Sequence, residues 1–556
     1  MRSYIELTLK KLRFENLSLI LQSETQQGLR FLFTILLLLS GIVCPMAQTL
    51  TDTADYKPTD KYEFPYSYIP PVALPVLPDS IDVERLQHKV FWRAGAEVVG
   101  LNLVLNAFDR FVLNGSYSKI SWTSVKNNLR HGFVWDDDAL DTNVFGHPYQ
   151  GSYGFNAGRS NGYNFWQSSL FALGGSLMWE LFMETTYPSI NDLISTPIGG
   201  SAFGEVFYRT SDLLLDDRSS GWERFGREAG AFVIDPMRGF TRIVTGRAWE
   251  HRTTSGRRFG IPLVRLSFSL GARMIFFNDS QNYTRGGLTT RIKVEYGDKF
   301  ATHTRYPYDY FTALFDFDLM KTQPIVSRVD IVGRLLSKEI YDSESGHISL
   351  GMYQHYDYMD SDTISSKKIN TITSECLVPY KLGIPASVGG GIVARHTQTP
   401  DWQIEGYAHV NAIALGGMLT DFYRHSKRNY NWGSGFSVKA GFHWFNRKLG
   451  LNTGANFRMF QLYTLKGSTI DYHDYPETMA PDVQGDKSNG NFINLGAYLN
   501  CRVWRELYIT GIFDWYSRHT HYLELNLKEE LKLYSTRGPR FKSNQLGLKL
   551  MLTYNL

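Results

Sequence analysis

Alternation of apolar and polar residues, from about residue 262 to residue 556, constrains the fold more than any other feature of the sequence. In residues 264–276 one face of the predicted strand carries Val264, Leu266, Phe268, Leu270, Ala272, Met274 and Phe276. The other face includes Arg265 and Arg273, which require water or polar partners. Because successive side chains of a strand point to opposite faces, long strands of this kind predict a barrel wall between lipid and a polar lumen.

The last strand repeats this pattern. Leu546, Leu548, Leu550, Leu552, Tyr554 and Leu556 share one face. Such a strand resembles the C-terminal recognition strand of outer-membrane barrel proteins, and we expect it to pair with the first strand because lipid cannot satisfy an open edge. The sequence therefore predicts a mainly β fold with a transmembrane antiparallel β-barrel of about 12–14 strands over residues 256–556. The barrel-assembly machinery is the expected partner of the terminal strand.

The composition agrees with a barrel and argues against other classes of protein. Hydrophobic residues make up 43% of the 556 residues, and aromatic residues make up 14%. Barrels combine these values because half of each strand faces water and aromatic girdles line the membrane interfaces. The formal net charge of +4 is not concentrated in a one-signed block, so nucleic acid is not an expected partner.

The N-terminal residues predict export. Arg30 precedes an apolar run at residues 31–43, and Ala47 follows shortly after it. This run is too short to span a bilayer and fits a cleaved signal peptide at residues 1–47. Residues 48–88 are rich in proline and predict an extended periplasmic linker. The expected location is the outer membrane of a Gram-negative bacterium.

Two helices are predicted between the linker and the barrel. Apolar residues recur at helical spacing in residues 89–113, and residues 164–185 form an apolar run with few polar interruptions. Residues 131–159 and 187–249, rich in Gly, Asn, Asp and Pro, predict ordered loops with short helices. We expect the helical module, residues 89–255, to plug the lumen or to underlie it, because an apolar helix of an exported barrel protein should be buried against protein.

A string of short motifs runs through the module. It includes Phe145-Gly146-His147-Pro148-Tyr149-Gln150-Gly151-Ser152, Phe155-Asn156-Ala157-Gly158-Arg159, Pro188-Ser189-Ile190-Asn191-Asp192 and Thr196-Pro197-Ile198-Gly199-Gly200. With these motifs, residues 120–250 resemble the domain of unknown function 3943, which is found in predicted outer-membrane proteins of Gram-negative bacteria. The resemblance implies a location and a barrel, and it implies no activity and no catalytic residues.

The module also holds the candidate catalytic residues. Glu180 and Glu184 are four residues apart and would share a helical face, and His147 could complete a polar site with them. A carboxylic acid buried there would have a raised pKa suited to general acid or base catalysis. A metal site made of these residues lacks a recognised spacing, and the acidic run at residues 136–138 predicts a solvated turn in preference to a calcium loop. No metal and no cofactor are predicted.

Other polar residues are candidates for binding. In the module these are Arg159, Asp192, Glu205 and Arg209, and on the barrel wall they are Arg265, Arg273, Arg291 and Lys293. Basic residues on a lumen wall would favour anionic solutes. The polar residues of the module also have a structural interpretation, which we prefer, because helices that plug a barrel need Glu–Arg pairs to meet a polar lumen wall.

Three classes of function remain open from the sequence. The preferred one is a structural or transport barrel whose lumen is partly occluded by the N-terminal helices. The second is a hydrolase directed at outer-membrane lipids or at a glycan, which would use the acids of the module and have outer-membrane lipids as partners. The third is a surface-binding protein that acts through long loops such as residues 470–475. The sequence leaves undecided whether the protein is an enzyme.

Overall fold

A computed structural model of the chain describes residues 88–136, 138–277, 283–301, 306–319, 324–361, 364–365, 376–399, 401–421, 428–467, 484–523 and 540–556. The predicted signal peptide, the linker up to residue 87 and the loop at residues 470–475 lie outside these ranges.

Seven α-helices precede the barrel within the described residues. They are α1 (Phe91–Phe111), α2 (Trp122–His131), α3 (His147–Ser160), α4 (Phe165–Phe182), α5 (Ile190–Leu214), α6 (Gly221–Ile234) and α7 (Pro236–Val244). A π-helical turn, Thr142–Gly146, leads into α3. The side chains of Asn164 and Ser189 accept hydrogen bonds from backbone N–H groups in the first turns of α4 and α5, which defines where these helices start. Among the described helices, none combines the length and the apolar character needed to cross a membrane.

Fourteen strands follow within the described residues. They are β1 (Val264–Phe277), β2 (Tyr283–Tyr296), β3 (Phe311–Asp318), β4 (Val326–Ser343), β5 (Gly346–Asp360), β6 (Ile364–Ser365), β7 (Cys376–Leu377), β8 (Lys381–Thr399), β9 (Trp402–Leu419), β10 (Tyr430–Asn446), β11 (Leu451–Thr464), β12 (Ser488–Trp504), β13 (Leu507–Tyr522) and β14 (Arg540–Asn555). Twelve of them form one closed antiparallel barrel, and β6 pairs with β7 between β5 and β8.

The barrel closes where its last strand pairs with its first. β14 runs antiparallel to β1, with Leu552 opposite Leu270 and Leu546 opposite Phe276. The predicted transmembrane antiparallel barrel is therefore confirmed, and so is the pairing of the terminal strand. The twelve strands of the barrel lie at the lower end of the predicted range.

Side chains of the wall alternate between an apolar outer face and a polar lumen. Leu270, Met274 and Leu550 are exposed on the outer face. Short turns join β4 to β5, β8 to β9, β10 to β11 and β12 to β13, all at the same end of the barrel. Because outer-membrane barrels carry short turns at their periplasmic end, we assign this end to the periplasm.

Side chains of the wall itself close the lumen. Ion pairs bridge strands that are not neighbours: Arg458 of β11 binds Asp330 of β4 (2.6 Å), and Lys549 of β14 binds Asp316 of β3 (2.7 Å). Beyond them, toward the end with the long connections, lies an apolar layer of Met359, Tyr380, Leu382, Ile384, Ile413, Met418, Phe460, Leu462, Phe492 and Tyr516. This half of the lumen is thus filled by residues of the strands and their ends.

The helical module packs against the outer face of the barrel, and the expectation that it plugs or underlies the lumen is wrong. Asp357 of β5 binds Lys439 of β10 across the lumen, so Tyr356 beside it faces outward. The ring of Tyr356 lies 4.8 Å from the ring of Phe203 in α5, and its hydroxyl donates a hydrogen bond to the carbonyl oxygen of Val144. The helices therefore lie outside the lumen, one half of which is filled by side chains of the strands.

The contact between module and barrel is extensive and mostly apolar. Its buried cluster combines Leu140, Val144, Phe145, Phe155, Phe203 and Val206 of the module with Phe311, Ala313, Val329, Ile331, Tyr356, Tyr358 and Trp432 of the wall. Polar contacts help to orient the module on the wall. Gln354 Nε2 donates to the carbonyl oxygen of Ile198 (2.9 Å), and Asn143 Nδ2 donates to the hydroxyl of Tyr430 (2.8 Å). Burial of apolar surface, at about 25 cal/mol per Å², stabilises this interface.

Helices occupy the glycine-rich segments for which the sequence predicted ordered loops with short helices. The glycines of these segments allow close contact between helices. The predicted helices correspond to α1 and α4, but α3, α5, α6 and α7 fill most of residues 147–244. A Cβ added at Gly200 of α5 would lie 2.6 Å from the backbone of Gly151 in α3, and one at Gly158 would lie 2.9 Å from Ser168 in α4. These glycines let helix backbones approach closely, as small residues do in membrane helix packing.

The close approach of α3 and α5 predicts a difference between two Gly→Ala substitutions. Gly200→Ala should push the two backbones apart and destabilise the module by about 1–3 kcal/mol. Gly174→Ala, on α4, meets nothing within 4 Å and should stabilise that helix by up to about 1 kcal/mol. Urea unfolding followed by tryptophan fluorescence measures both effects, and the migration of unboiled protein in SDS gels reports whether the barrel is closed. Equal stability of the two variants would contradict the proposed helix packing.

Candidate functional site

Five titratable side chains meet at one place in the helical module and form what we call the acidic cluster. Asp136 and Asp138 precede the π-helical turn, and His147 begins α3. Glu180 lies near the end of α4, and Asp192 lies in the first turn of α5. Three separate segments therefore converge, which no local spacing in the sequence reveals.

The side chains of the cluster are held by specific contacts. His147 Nε2 lies 3.6 Å from Asp192 Oδ2. The carboxylate of Asp136 accepts hydrogen bonds from Asn143 Nδ2 (2.7 Å) and Asn191 Nδ2 (3.0 Å). Potential ligand atoms of Asp136, Asp138 and His147 all lie within 4.8 Å of one another.

Burial and like charge act together on two carboxyl groups of the cluster. Burial raises the pKa of Glu180 well above its usual range, and the neighbouring carboxylates of Glu184, Asp136 and Asp138 raise that pKa further. Burial likewise raises the pKa of Asp192 well above its usual range, with added repulsion from Asp136 and Glu180. Both shifts favour the protonated form, in which a carboxylic acid can donate a proton.

The cluster has the chemistry of two kinds of site. A buried acid that stays protonated beside an imidazole can act in general acid or base catalysis. Two carboxylates and an imidazole within a few ångströms are also ligand types for a divalent cation. Asp136, Asp138 and His147 are the residues that would hold such an ion.

Two of the three predicted catalytic residues belong to this cluster, and the third, Glu184, lies beside Glu180 but is bound by other side chains. α4 ends at Phe182, so Glu184 does not share a helical face with Glu180. The carboxylate of Glu184 accepts hydrogen bonds from the indole of Trp179 and the hydroxyl of Thr186. A catalytic role for His147, Glu180 and Glu184 stays a prediction.

Three of the predicted binding residues form a separate structural network. Arg159 Nη2 and Arg209 Nε both donate to Glu205 Oε1 at 2.8 Å, and all three side chains are buried. Burial opposes ionisation of Glu205, but the two guanidinium groups outweigh it and hold the pKa of Glu205 below its usual value. Arg209 also donates to the carbonyl oxygen of Pro307, which ties α5 to the β2–β3 connection. Asp192, the fourth member of the predicted set, belongs to the acidic cluster.

The four predicted cations of the barrel wall face the lumen, but acids neutralise them. Arg265 Nη1 lies 3.4 Å from Glu295, and Arg273 Nη1 lies 2.8 Å from Asp318. Arg291 Nε lies 2.6 Å from Asp316. Lys293 interacts electrostatically with Glu295. Strand acids therefore supply charge opposite to these four cations, and a preference of the wall for anionic solutes stays a prediction.

The periplasmic half of the lumen is an open vestibule of about 1740 Å³. Ten basic side chains line it: Arg265, Arg291, Lys293, Lys299, Arg328, Arg395, Lys439, Arg447, Arg458 and Arg502. Ten acidic side chains line it too: Glu295, Asp298, Asp330, Asp342, Glu344, Asp357, Asp401, Glu405, Glu506 and Asp514. The wall of the vestibule is highly charged and close to neutral overall.

The floor of the vestibule carries a polar chain that the sequence analysis missed. Lys439 Nζ binds Asp357 (2.6 Å) and His355 Nδ1 (3.0 Å), and His355 Nε2 lies 3.1 Å from His409 Nδ1. These residues come from β5, β9 and β10, so only the strand order places them together. The sequence signal available for them was that each lies on the polar face of a strand whose residues alternate between apolar and polar.

A family match covers the module. The sequence profile of a domain of unknown function (DUF3943) matches residues 132–237, which confirms the resemblance seen in the motifs. The matched region contains the acidic cluster and the Glu205 network. No curated protein sequence matches the chain.

Solved structures similar to the chain include a porin, a toluene transporter and an outer-membrane channel. The NanC porin has a TM-score of 0.23 and 8% identity, with 50% of this chain and 98% of that chain covered. The toluene transporter TodX of Pseudomonas putida has a TM-score of 0.20 and 6% identity, with 53% and 90% covered. The channel DcaP of Acinetobacter baumannii has a TM-score of 0.21 and 7% identity, with 53% and 97% covered. The strand order and register of this chain themselves define its closed barrel.

The buried Asp235 predicts how the stability of the module depends on pH. Its Oδ1 accepts a hydrogen bond from the backbone N–H of Arg238 (3.0 Å) at the start of α7, and burial raises the pKa of Asp235 to about 7. Between its ordinary value of 3.8 and about 7, the folded state holds a proton that the unfolded state has lost. The contribution of Asp235 to stability therefore falls as the pH rises through this window.

Asp235→Asn should reduce this pH dependence, because asparagine can still cap α7 and does not ionise. Urea unfolding at pH 5 and pH 7.5, chosen from about the middle and just above that window, gives the slope for each protein. Wild type should lose more stability than Asp235→Asn on going to the higher pH. Parallel slopes would show that Asp235 does not titrate in this range.

Proposed function

We propose that this protein is an outer-membrane transport barrel that is closed at rest. The observation that carries the proposal is the vestibule of about 1740 Å³, whose floor is formed by ion pairs such as Lys439–Asp357 and Arg458–Asp330, with the apolar layer around Phe460 and Phe492 beyond them. A constriction of apolar side chains can exclude water and ions until it rearranges. The lumen is therefore closed by side chains that can rearrange without unfolding a strand, and none of the helices in the described ranges blocks it.

The charge of the vestibule suggests the class of solute. Ten acidic and ten basic side chains line the wall, and many of them are already paired, as Arg291 is with Asp316. A wall of this kind offers hydrogen-bond donors and acceptors together and little net field. Neutral or zwitterionic polar solutes fit it better than anions do.

The location and the assembly partner belong to the same proposal. The exposed apolar residues of the outer face, such as Leu270 and Leu550, support residence in the outer membrane of a Gram-negative bacterium. Export would use the cleaved signal peptide predicted at residues 1–47. The exposed apolar face of β14 fits recognition by the barrel-assembly machinery.

Opening the apolar layer should convert the closed barrel into a conducting one. In planar bilayers we expect wild type to show little conductance, and Phe460→Ala combined with Phe492→Ala to show discrete open events, because the side chains that exclude water are gone. Leu495→Ala combined with Phe513→Ala is the matched control, since these side chains are exposed on the outer face. A double variant that conducts no better than this control would argue against a transport role.

A lipid-directed hydrolase is the second candidate, and the acidic cluster favours it. Glu180 and Asp192 are buried acids with raised pKa beside His147, in a module that touches the outer, lipid-facing wall. A glycan substrate, and a surface-binding role of the loop at residues 470–475, stay predictions from the sequence.

Mass spectrometry of outer-membrane lipids incubated with refolded protein tests the hydrolase. If the cluster supplies an acid catalyst, wild type should release modified lipid and Glu180→Gln should lose about 10²–10⁴-fold of that activity. Glu184→Gln should keep most of it, since the carboxylate of Glu184 is bound by Trp179 and Thr186 and Glu180 keeps the burial that is the main cause of its raised pKa. A lipid profile that wild type leaves unchanged would remove the hydrolase.

A further inference from the structure

Helix α1 carries its polar residues inside and its apolar residues outside. Glu97, Asn102 and Asn106 are buried. Asn102 Nδ2 donates to the carbonyl oxygen of Gly175 (2.9 Å), and Asn106 Nδ2 donates to that of Met183 (2.7 Å). The exposed large side chains of this helix are Phe91, Trp92, Val99, Leu103, Val104, Phe108 and Phe111, and Arg110 is the charged exception. A helix on the surface of a water-soluble protein shows the opposite pattern.

Two more helices repeat this inverted pattern. In α4, Ser168, Ser176 and Glu180 are buried, whereas Trp166, Leu170 and Phe182 are exposed. In α7, Arg238, Thr241 and Arg242 are buried, whereas Phe240, Ile243 and Val244 are exposed. The charged interior is paired: Arg238 binds Asp212, and Arg242 binds Asp217. Paired charges inside and apolar residues outside are the arrangement of protein surrounded by lipid.

The exposed surface of these helices continues the apolar surface of the barrel. The module covers part of the outer wall through residues such as Phe203 and Tyr356. Next to the covered part, Leu288 of β2, Leu350 of β5 and Val410 of β9 are exposed on the same face. On a transmembrane barrel this face contacts lipid. The module covers part of that face in place of lipid, so it lies at the depth of the membrane.

We propose that the exposed apolar surface of α1, α4 and α7 contacts the acyl chains of the bilayer, so that the helical module is embedded in the membrane beside the barrel. The partner of this surface is lipid. Because none of the described helices can cross a membrane by itself, the module reaches this position through its packing on the barrel wall. The proposal is independent of whether the barrel conducts or the acidic cluster is catalytic.

Spin labels on single cysteines test this placement. Cys44, Cys376 and Cys501 are first replaced by serine, and nitroxides are attached at Leu103→Cys, Leu170→Cys or Ile243→Cys, one per helix. The proteins are refolded into vesicles of phosphatidylethanolamine and phosphatidylglycerol. Power saturation then compares collisions with oxygen, which concentrates in lipid, and with a water-soluble nickel chelate. The migration of unboiled protein in SDS gels shows which refolded samples contain closed barrels.

Two positions on the barrel calibrate the measurement. Leu550→Cys reports the lipid-facing wall, since Leu550 is 65% exposed on the outer face, and Ser345→Cys reports the aqueous turn between β4 and β5. We expect the three module positions to match Leu550→Cys, with high oxygen and low nickel accessibility. Values like those of Ser345→Cys would place the module in water and overturn the proposal. Low accessibility to both reagents would overturn it too, since a second protein surface would then cover these helices.

Discussion

Closure of the sheet by β1 and β14 is the constraint on which the rest of the structure depends. Within lipid, no water satisfies the N–H and C=O groups of an open strand edge, so the twelve strands have to form a ring. Once the ring is closed, the alternation of side chains assigns each wall residue either to lipid or to the lumen. Twelve strands enclose a narrow lumen, and long side chains such as Arg458 and Phe460 reach across it. The helices pack on the outer wall, against residues such as Tyr356.

The helical module obeys the same physical rule as the barrel. Its charges turn inward and pair, as Glu205 does with Arg159 and Arg209. Such buried pairs add little net stability, because desolvation offsets most of the attraction between the charges, but breaking one leaves a buried charge. The acidic cluster differs from these networks in its balance of charge. There Glu180 and Asp192 meet other carboxylates, and their raised pKa values follow from that crowding as well as from burial. Crowded, buried carboxyl groups with raised pKa values destabilise a fold, and such groups are typical of functional sites.

Much of the fold could be predicted because it follows from periodicity, and much of the site could not because it follows from contacts between distant segments. The strands and the helices α1 and α4 have clear periods. The segments of α3 and α5 were predicted as ordered loops with short helices because they contain glycines such as Gly151 and Gly200. A sequence does not distinguish a glycine that permits close helix packing from a glycine in a loop. The apolar residues of α1 recur at helical spacing, but a pattern of period 3.6 does not say which face of the helix turns to protein. Arg273 and Arg291 were correctly assigned to the lumen, and only the structure shows the aspartates that neutralise them.

The sequence by itself determined that this chain forms a barrel with one apolar and one polar face, that the terminal strand closes it, and that a module resembling a domain of unknown function precedes it. These properties follow from local patterns and short motifs, which can be recognised without knowing which distant segments they contact. Tertiary structure alone decided that the module lies outside the barrel, that wall side chains close the lumen, and that Asp136, His147, Glu180 and Asp192 meet. Which surface a helix covers, and which acids become neighbours, depends on the competition between packing surfaces across the whole chain.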